Sequence, residues 1–383
     1  MKTFLLPVIA LVCLGATAQA QQFTGLPVRR DSMTIAAAVL APARAEIDSS
    51  RWTMTPSVGA DRKPATAADT GQVPAMMLNL GNVVFGGNLQ TFYVAGSGDV
   101  VNTFKLRRAE LKFVGTMSPT VKWQVMLDLA KSLKVANNSP TQSTLPLQDA
   151  FISVKADRFD IQAGQFILPL TYEGGGLSSA LIEATDRSLM ITDGKLGQVR
   201  DMGVQLSTQL FSVTKVRVGL FNSTGDLQNT TAITGAKAIV GRIETRTPVD
   251  GLMLGMSGAS AGRDANDEPA HDRIGGDVEY SWKRFGARSE FMRAWDGTDV
   301  RLGTYGLATY SVGTVLLVGR YDYWDKDSRA SLTGLDVLER DVTAGFAWYM
   351  EGSNVVLRGN YVWRNLHPQP QRDQVIVSLQ AAW

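Results

Sequence analysis

From about Gly86 onward, apolar and polar residues alternate at every second position, in segments of roughly 9 to 13 residues. In the clearest of them, Val121, Trp123, Val125, Leu127 and Leu129 share one face, while Lys122, Gln124, Met126 and Asp128 share the other. Val355, Leu357, Gly359, Tyr361 and Trp363 alternate in the same way with Val356, Arg358, Asn360, Val362 and Arg364. A period of two belongs to strands, since a helix returns its apolar positions every third or fourth residue. About sixteen such segments follow one another, each long enough to cross a bilayer at a tilt. The connections alternate too. Long ones follow odd segments, as at residues 131–146 and 223–235, and short ones follow even segments, as at Ala156-Asp157-Arg158, Ser212-Val213 and Gly313. This rhythm predicts an all-β fold, a transmembrane antiparallel β-barrel of about 16 strands over residues 81–383. Its long loops lie outside, and its tight turns and both termini lie on the periplasmic side. A soluble sandwich has no reason to sort loop length by parity.

Tryptophan placement agrees. Trp123, Trp282, Trp348 and Trp383 map to periplasmic strand ends, and Trp295, Trp324 and Trp363 to outer ends, as two headgroup-level girdles require. Trp52 is the exception. The final strand, with Val375, Val377, Leu379, Ala381 and Trp383 on one face, ends on an aromatic residue, the mark read by the outer-membrane barrel assembly machinery. At the other end, Lys2, the apolar residues 4–15 and Ala18-Gln19-Ala20 predict a secretory signal peptide over residues 1–20, cleaved before Gln21. A lipoprotein signal centred on Cys13 is the alternative, but Val12 is bulky where a small residue is wanted. Residues 21–80, rich in Ala, Thr, Pro, Ser and Asp, predict a flexible periplasmic leader. The expected location is the outer membrane of a Gram-negative cell, with lipid as one partner.

Charge narrows the functions. Lys plus Arg number 38 against 36 for Asp plus Glu, too small a cationic surplus for nucleic acid. The only cysteine lies in the signal segment, so no thiol chemistry follows in the mature chain. No cofactor, metal spacing or catalytic set is expected. His271 and His367 fall in predicted outer loops without a serine motif, which leaves a lipase or protease barrel as one alternative and a plugged structural or adhesin barrel as another.

The longest connection, residues 169–200, is the candidate constriction. It carries Glu173, Glu183, Asp186, Arg187, Asp193, Lys195 and Arg200, and Gly174-Gly175-Gly176 permit a sharp bend. With apolar parity outward, Arg108, Arg217, Arg242, Arg246, Arg288, Arg320, Arg358 and Arg364 face inward as candidate pore-lining residues for anions. Glu110, Asp128, Glu244, Asp277, Glu279, Glu290 and Asp322 face inward with them, as partners that brace the wall.

Several stretches resemble the phosphate-selective porin O and P family. They are the run Phe104-Lys105-Leu106-Arg107-Arg108-Ala109-Glu110-Leu111, then Ala163-Gly164-Gln165-Phe166-Ile167-Leu168-Pro169-Leu170, Arg187-Ser188-Leu189, Arg200-Asp201-Met202-Gly203-Val204-Gln205-Leu206 and Arg320-Tyr321-Asp322-Tyr323-Trp324-Asp325. The resemblance covers the barrel and not the leader. It implies a sixteen-stranded, usually homotrimeric outer-membrane channel for small hydrophilic solutes, with small anions, phosphate-type ones included, as the expected partners.

Overall fold

Alternation sorts each strand into a lipid face and a lumen face, and closing the sheet on itself leaves no unpaired edge in the bilayer. A computed structural model describes residues 82–97, 102–133, 146–223, 237–262, 271–329, 338–350, 354–367 and 372–383. The expected signal segment, the leader and Trp52 lie outside them. The first strands are β1 (Val83–Gly96), β2 (Thr103–Ser118), β3 (Val121–Asp128), β4 (Leu147–Ala156), β5 (Phe159–Ile167), β6 (Arg200–Leu210), β7 (Thr214–Phe221) and β8 (Ala238–Arg246). They are followed by β9 (Leu252–Ser260), β10 (Asp272–Trp282), β11 (Phe285–Asp296), β12 (Asp299–Val312), β13 (Val315–Asp325), β14 (Leu338–Tyr349), β15 (Val355–His367) and β16 (Gln374–Ala382). Each pairs antiparallel with its sequence neighbours, and β1 pairs with β16 to close the barrel.

At the seam, Asn88 stands opposite Ala382 and Gly96 opposite Gln374. Gly87 and Trp383 exchange both backbone hydrogen bonds, at 2.9 and 3.1 Å. The Trp383 ring lies beside Phe85, and a Cβ on Gly87 would come within 2.5 Å of it. Glycine is required there.

Outward positions are apolar and uncovered at mid-strand, as Leu89, Val204, Ile239, Met256, Phe291 and Leu379 show. Trp282, Trp348 and Trp363 are exposed on this face near strand ends. Trp324 departs from the expected girdle: it shares inward parity with Arg320 and Asp322 and is only 2% exposed. Loop length departs from strict alternation once. β11 and β12 are joined by the two residues Gly297 and Thr298, because β12 begins at Asp299, with Val300 and its partner Trp295 on the outward parity. Asp296 and Asp299 therefore face each other, and Arg301 lies 3.4 Å from the first and 3.7 Å from the second.

A third departure is a β-bulge in β2. Gln90 pairs with Arg108 and Thr91 with Leu106, which leaves Arg107 unpaired. One extra residue resets the period, so an arginine that strict alternation would place in lipid turns to the lumen.

Candidate functional site

Residues 168–199, between β5 and β6, turn into the barrel and pack there. Two short helices interrupt the segment, α1 (Tyr172–Gly175) and α2 (Leu189–Thr192). Thr171 caps the first: its side chain accepts from the Gly174 N–H at 2.9 Å. Leu168, Leu170, Leu189, Met190, Ile191 and Leu196 bury against an inward wall that is itself apolar at Phe166, Phe221, Val240, Met292, Ala294 and Trp324. At about 1.5–3 kcal/mol for each large side chain removed from water, this contact holds the segment down.

Polar anchors fix its position. The Tyr172 and Glu173 N–H groups donate to the Glu290 carboxylate at 2.7 and 2.8 Å, and the Thr171 N–H donates to Ser257 Oγ. The two terminal Arg288 nitrogens grip Glu183 at 3.0 and 2.8 Å, and its Nε donates to the Tyr305 hydroxyl. Arg107 grips Asp186 in the same forked way, at 3.1 and 2.9 Å, with Arg108 3.9 Å from that carboxylate. Arg320 donates to the Asp186 and Arg187 carbonyls, Arg358 and Gln380 to the Ala180 carbonyl. Ser179 donates to Glu110, and Asn360 accepts from the Thr185 N–H. Within the segment, Arg187 donates to the Glu173 and Leu177 carbonyls, and Ser188 donates to the Glu173 carboxylate. Anchors thus come from β2, β9, β11, β13, β15 and β16, and from β1 through Asn88, whose side-chain amide donates to Ser179 Oγ at 3.2 Å.

All eight arginines expected to face inward do so, and partners hold most of them. Arg217 pairs with Glu244, and Arg242 with Asp277 at 2.7 Å. Arg320 pairs with Asp322 at 2.7 Å, Arg364 with Asp341 at 3.1 Å, and Arg108 lies 3.6 Å from Glu110. Arg246 is inward near the short-turn end of β8 and is also partnered. Arg200 opens β6 rather than sitting in the loop, and it pairs with Asp149 at 2.7 Å. Lys195 is exposed with φ of 53° and takes no part in the anchoring, and Asp193 is likewise exposed. Arg107 was missed because the bulge hides it from parity. Its only sequence signal is the Arg107-Arg108 doublet, in which one residue must break the alternation or enter lipid.

His271 lies at the long-loop end, its Nδ1 2.8 Å from Asp296, which Arg273 also holds. His367 ends β15. Among the described residues no group of His, Cys, Asp or Glu is arranged to hold a metal.

The loop carboxyls titrate abnormally. Burial would push Glu183 and Asp186 up, but the Arg288 guanidinium beside the first, and Arg107 and Arg108 beside the second, outweigh it and hold both below the ordinary carboxylate range. A depressed folded pKa gives stability that is complete above the unfolded value, about 4, and is lost only as pH falls through the folded value. The ion pairs of Glu183 with Arg288 and of Asp186 with Arg107 are therefore expected to persist from neutral pH to about pH 5. Carboxylate infrared absorption over that range, assigned by difference against Glu183→Gln and Asp186→Asn, checks this; protonation of either group near pH 6 would contradict the assignment.

Comparison with known proteins follows this geometry. The family model for phosphate-selective porin O and P matches residues 83–246. The Arg320–Asp325 motif lies beyond that span. No curated protein matches the sequence. Among solved structures, the anion-selective porin from Comamonas acidovorans is similar at TM-score 0.58 and 14% identity, over 79% of this chain and 99% of that one. The Salmonella typhi OmpF complex with daunomycin gives 0.60 and 13%, over 79% and 98%. The channel DcaP of Acinetobacter baumannii gives 0.56 and 11%, over 79% and 97%. The family match bears out the resemblance read from the motifs, and the structures bear out the sixteen-stranded fold.

Proposed function

We propose that this chain, an outer-membrane porin by its family match, is a passive diffusion channel for small hydrophilic solutes with a mild preference for anions. One observation carries the preference. Near the short-turn ends of β3, β4 and β7, the inward residues Lys122, Lys155 and Lys215 gather around the Asp160 carboxylate. With most of the inward arginines engaged by carboxylates or loop carbonyls, these lysines form the positive patch at the periplasmic mouth. A net positive mouth enriches anions over a Debye length, about 8 Å at physiological salt.

A reversal potential across a potassium chloride gradient is expected to report anion selectivity. Changing all three lysines to glutamine should move it toward zero. Cation selectivity in the unaltered protein would overturn the reading.

The same reading makes the chain a homotrimer in the outer membrane, its barrel over residues 81–383 delivered after cleavage behind Ala20 and assembled through the strand that ends at Trp383. The leader, residues 21–80, remains in the periplasm. The depth to which the loop is buried favours a second reading, a plugged barrel. Absence of conductance in planar bilayers would select it.

A further inference from the structure

Charged side chains are rare on the lipid-facing parity of the strands, and the carboxylates among them are engaged. Asp272 accepts from the Ala261 N–H and Asp325 from the Asp327 N–H, each at 3.2 Å. Arg293 (β11) and Arg340 (β14) differ. Both are exposed on the outward face, and neither makes an ion pair among the described residues. Each lies over an aromatic ring near the long-loop rim instead. Arg293 is 5.2 Å from the centre of the Trp295 ring, and Arg340 is 5.8 Å from that of Tyr323. Stacking occupies one face of a guanidinium and leaves its forked N–H edge free. Two residues toward the midplane, on the same face, Phe291 and Val342 are exposed and apolar. The connection between β11 and β12 is only Gly297-Thr298, so it does not overhang Arg293.

We propose that this outer face binds the headgroup of a phosphorylated glycolipid of the surrounding leaflet. The proposal rests on the membrane placement of the barrel and not on what passes through its lumen. Arginine on a lipid-facing strand is tolerated only near headgroup level, where an anionic lipid is the oppositely charged group at hand. Each free guanidinium edge matches a phosphate, to which it can donate two parallel hydrogen bonds. Three inter-strand steps of about 4.8 Å set the two arginines about 14 Å apart along the rim, room for a sugar headgroup between two phosphates. Thr304, Tyr323 and Asp325 face outward between them and can meet sugar hydroxyls. The Asp325 carboxylate would repel a phosphate, so that point falls to the sugar. Phe291 and Val342 take the start of the acyl chains, which a free phosphate ion in water does not have.

The test titrates the folded protein in detergent micelles with diphosphoryl lipid A and reads bound lipid by native mass spectrometry. Saturable binding is expected, tighter than that of lipid A stripped of both phosphates. Arg293→Gln and Arg340→Gln should each weaken it about fivefold, the contribution of one basic residue at an anionic lipid surface. Both lie on the exposed outer face, and unchanged heat-modifiable gel mobility confirms that the barrel still folds. Lys283→Gln removes a cation stacked 4.6 Å from the Trp282 ring at the opposite rim and should leave binding unchanged. Equal binding of the stripped lipid, or an equal loss in Lys283→Gln, overturns the site. Displacement of the lipid by inorganic phosphate alone overturns the glycolipid assignment. A disulfide-linked pair of copies that appears only with Thr304→Cys would place a second protomer on this face and overturn it as well. None of these outcomes bears on conductance, so the channel reading stands or falls separately.

Discussion

Single-channel conductance is expected to rise when Arg288 is replaced by alanine. That guanidinium is 3% exposed, forked onto Glu183 and stacked 5.0 Å from the centre of the Tyr172 ring, so it clamps the loop at two points. Removing it leaves the Glu183 carboxylate buried without its partner, a loss of about 3–5 kcal/mol. The apolar underside of the loop remains, but a segment that must hydrate a carboxylate lifts where that carboxylate sits. Arg288→Lys should restore little, because an ammonium cannot reproduce the forked geometry. Arg358→Ala is the comparison: its contact to the loop is one bond of 3.5 Å, and its effect should be small. Unchanged conductance in a folded Arg288→Ala barrel would show that the loop is held elsewhere.

The second large effect is expected at the seam. In Gly87→Val the new Cβ would stand 2.5 Å from the Trp383 ring and 2.6 Å from the Glu110 carbonyl oxygen, and no side-chain rotation relieves either contact because none moves Cβ. Overpacking of this kind costs about 1–3 kcal/mol or more, and here it falls on the pair of strands that closes the wall. Heat-modifiable gel mobility should convert to the unfolded form at a clearly lower temperature. Gly319→Val serves as the control, since a Cβ there meets nothing within 4 Å and should change little.

Strand identity was legible because lipid and lumen impose opposite chemistry on alternate residues. Where the lumen wall is covered by the loop, the contrast fails. β8 reads Ala238-Ile239-Val240 without a polar break, because Val240 faces the loop and Ile239 faces lipid. Inward parity identified Arg288 and Arg320, but not that they would hold a loop instead of standing free in a pore. That depends on contacts more than a hundred residues apart, which no local pattern records. Arg107 escaped for a local reason: a bulge is one residue of irregularity inside a regular period. Trp324 escaped because a strand-end tryptophan reads the same whether it meets headgroups or a loop.

The anchoring of the loop also sets an order of events in biogenesis. The Ala180 carbonyl accepts from Gln380, 200 residues later, and the Thr185 N–H donates to Asn360, 175 residues later. Contacts of such sequence separation form late, after the chain entropy of everything between has been lost. Most of the loop's anchors lie on strands that leave the export machinery after it, the last of them on β15 and β16, while β1 and β2 precede it. The aperture is therefore narrowed only once the last strand has joined the first. A barrel stalled before that point would be a wide leak, so completion of the wall and restriction of its permeability are one kinetic step.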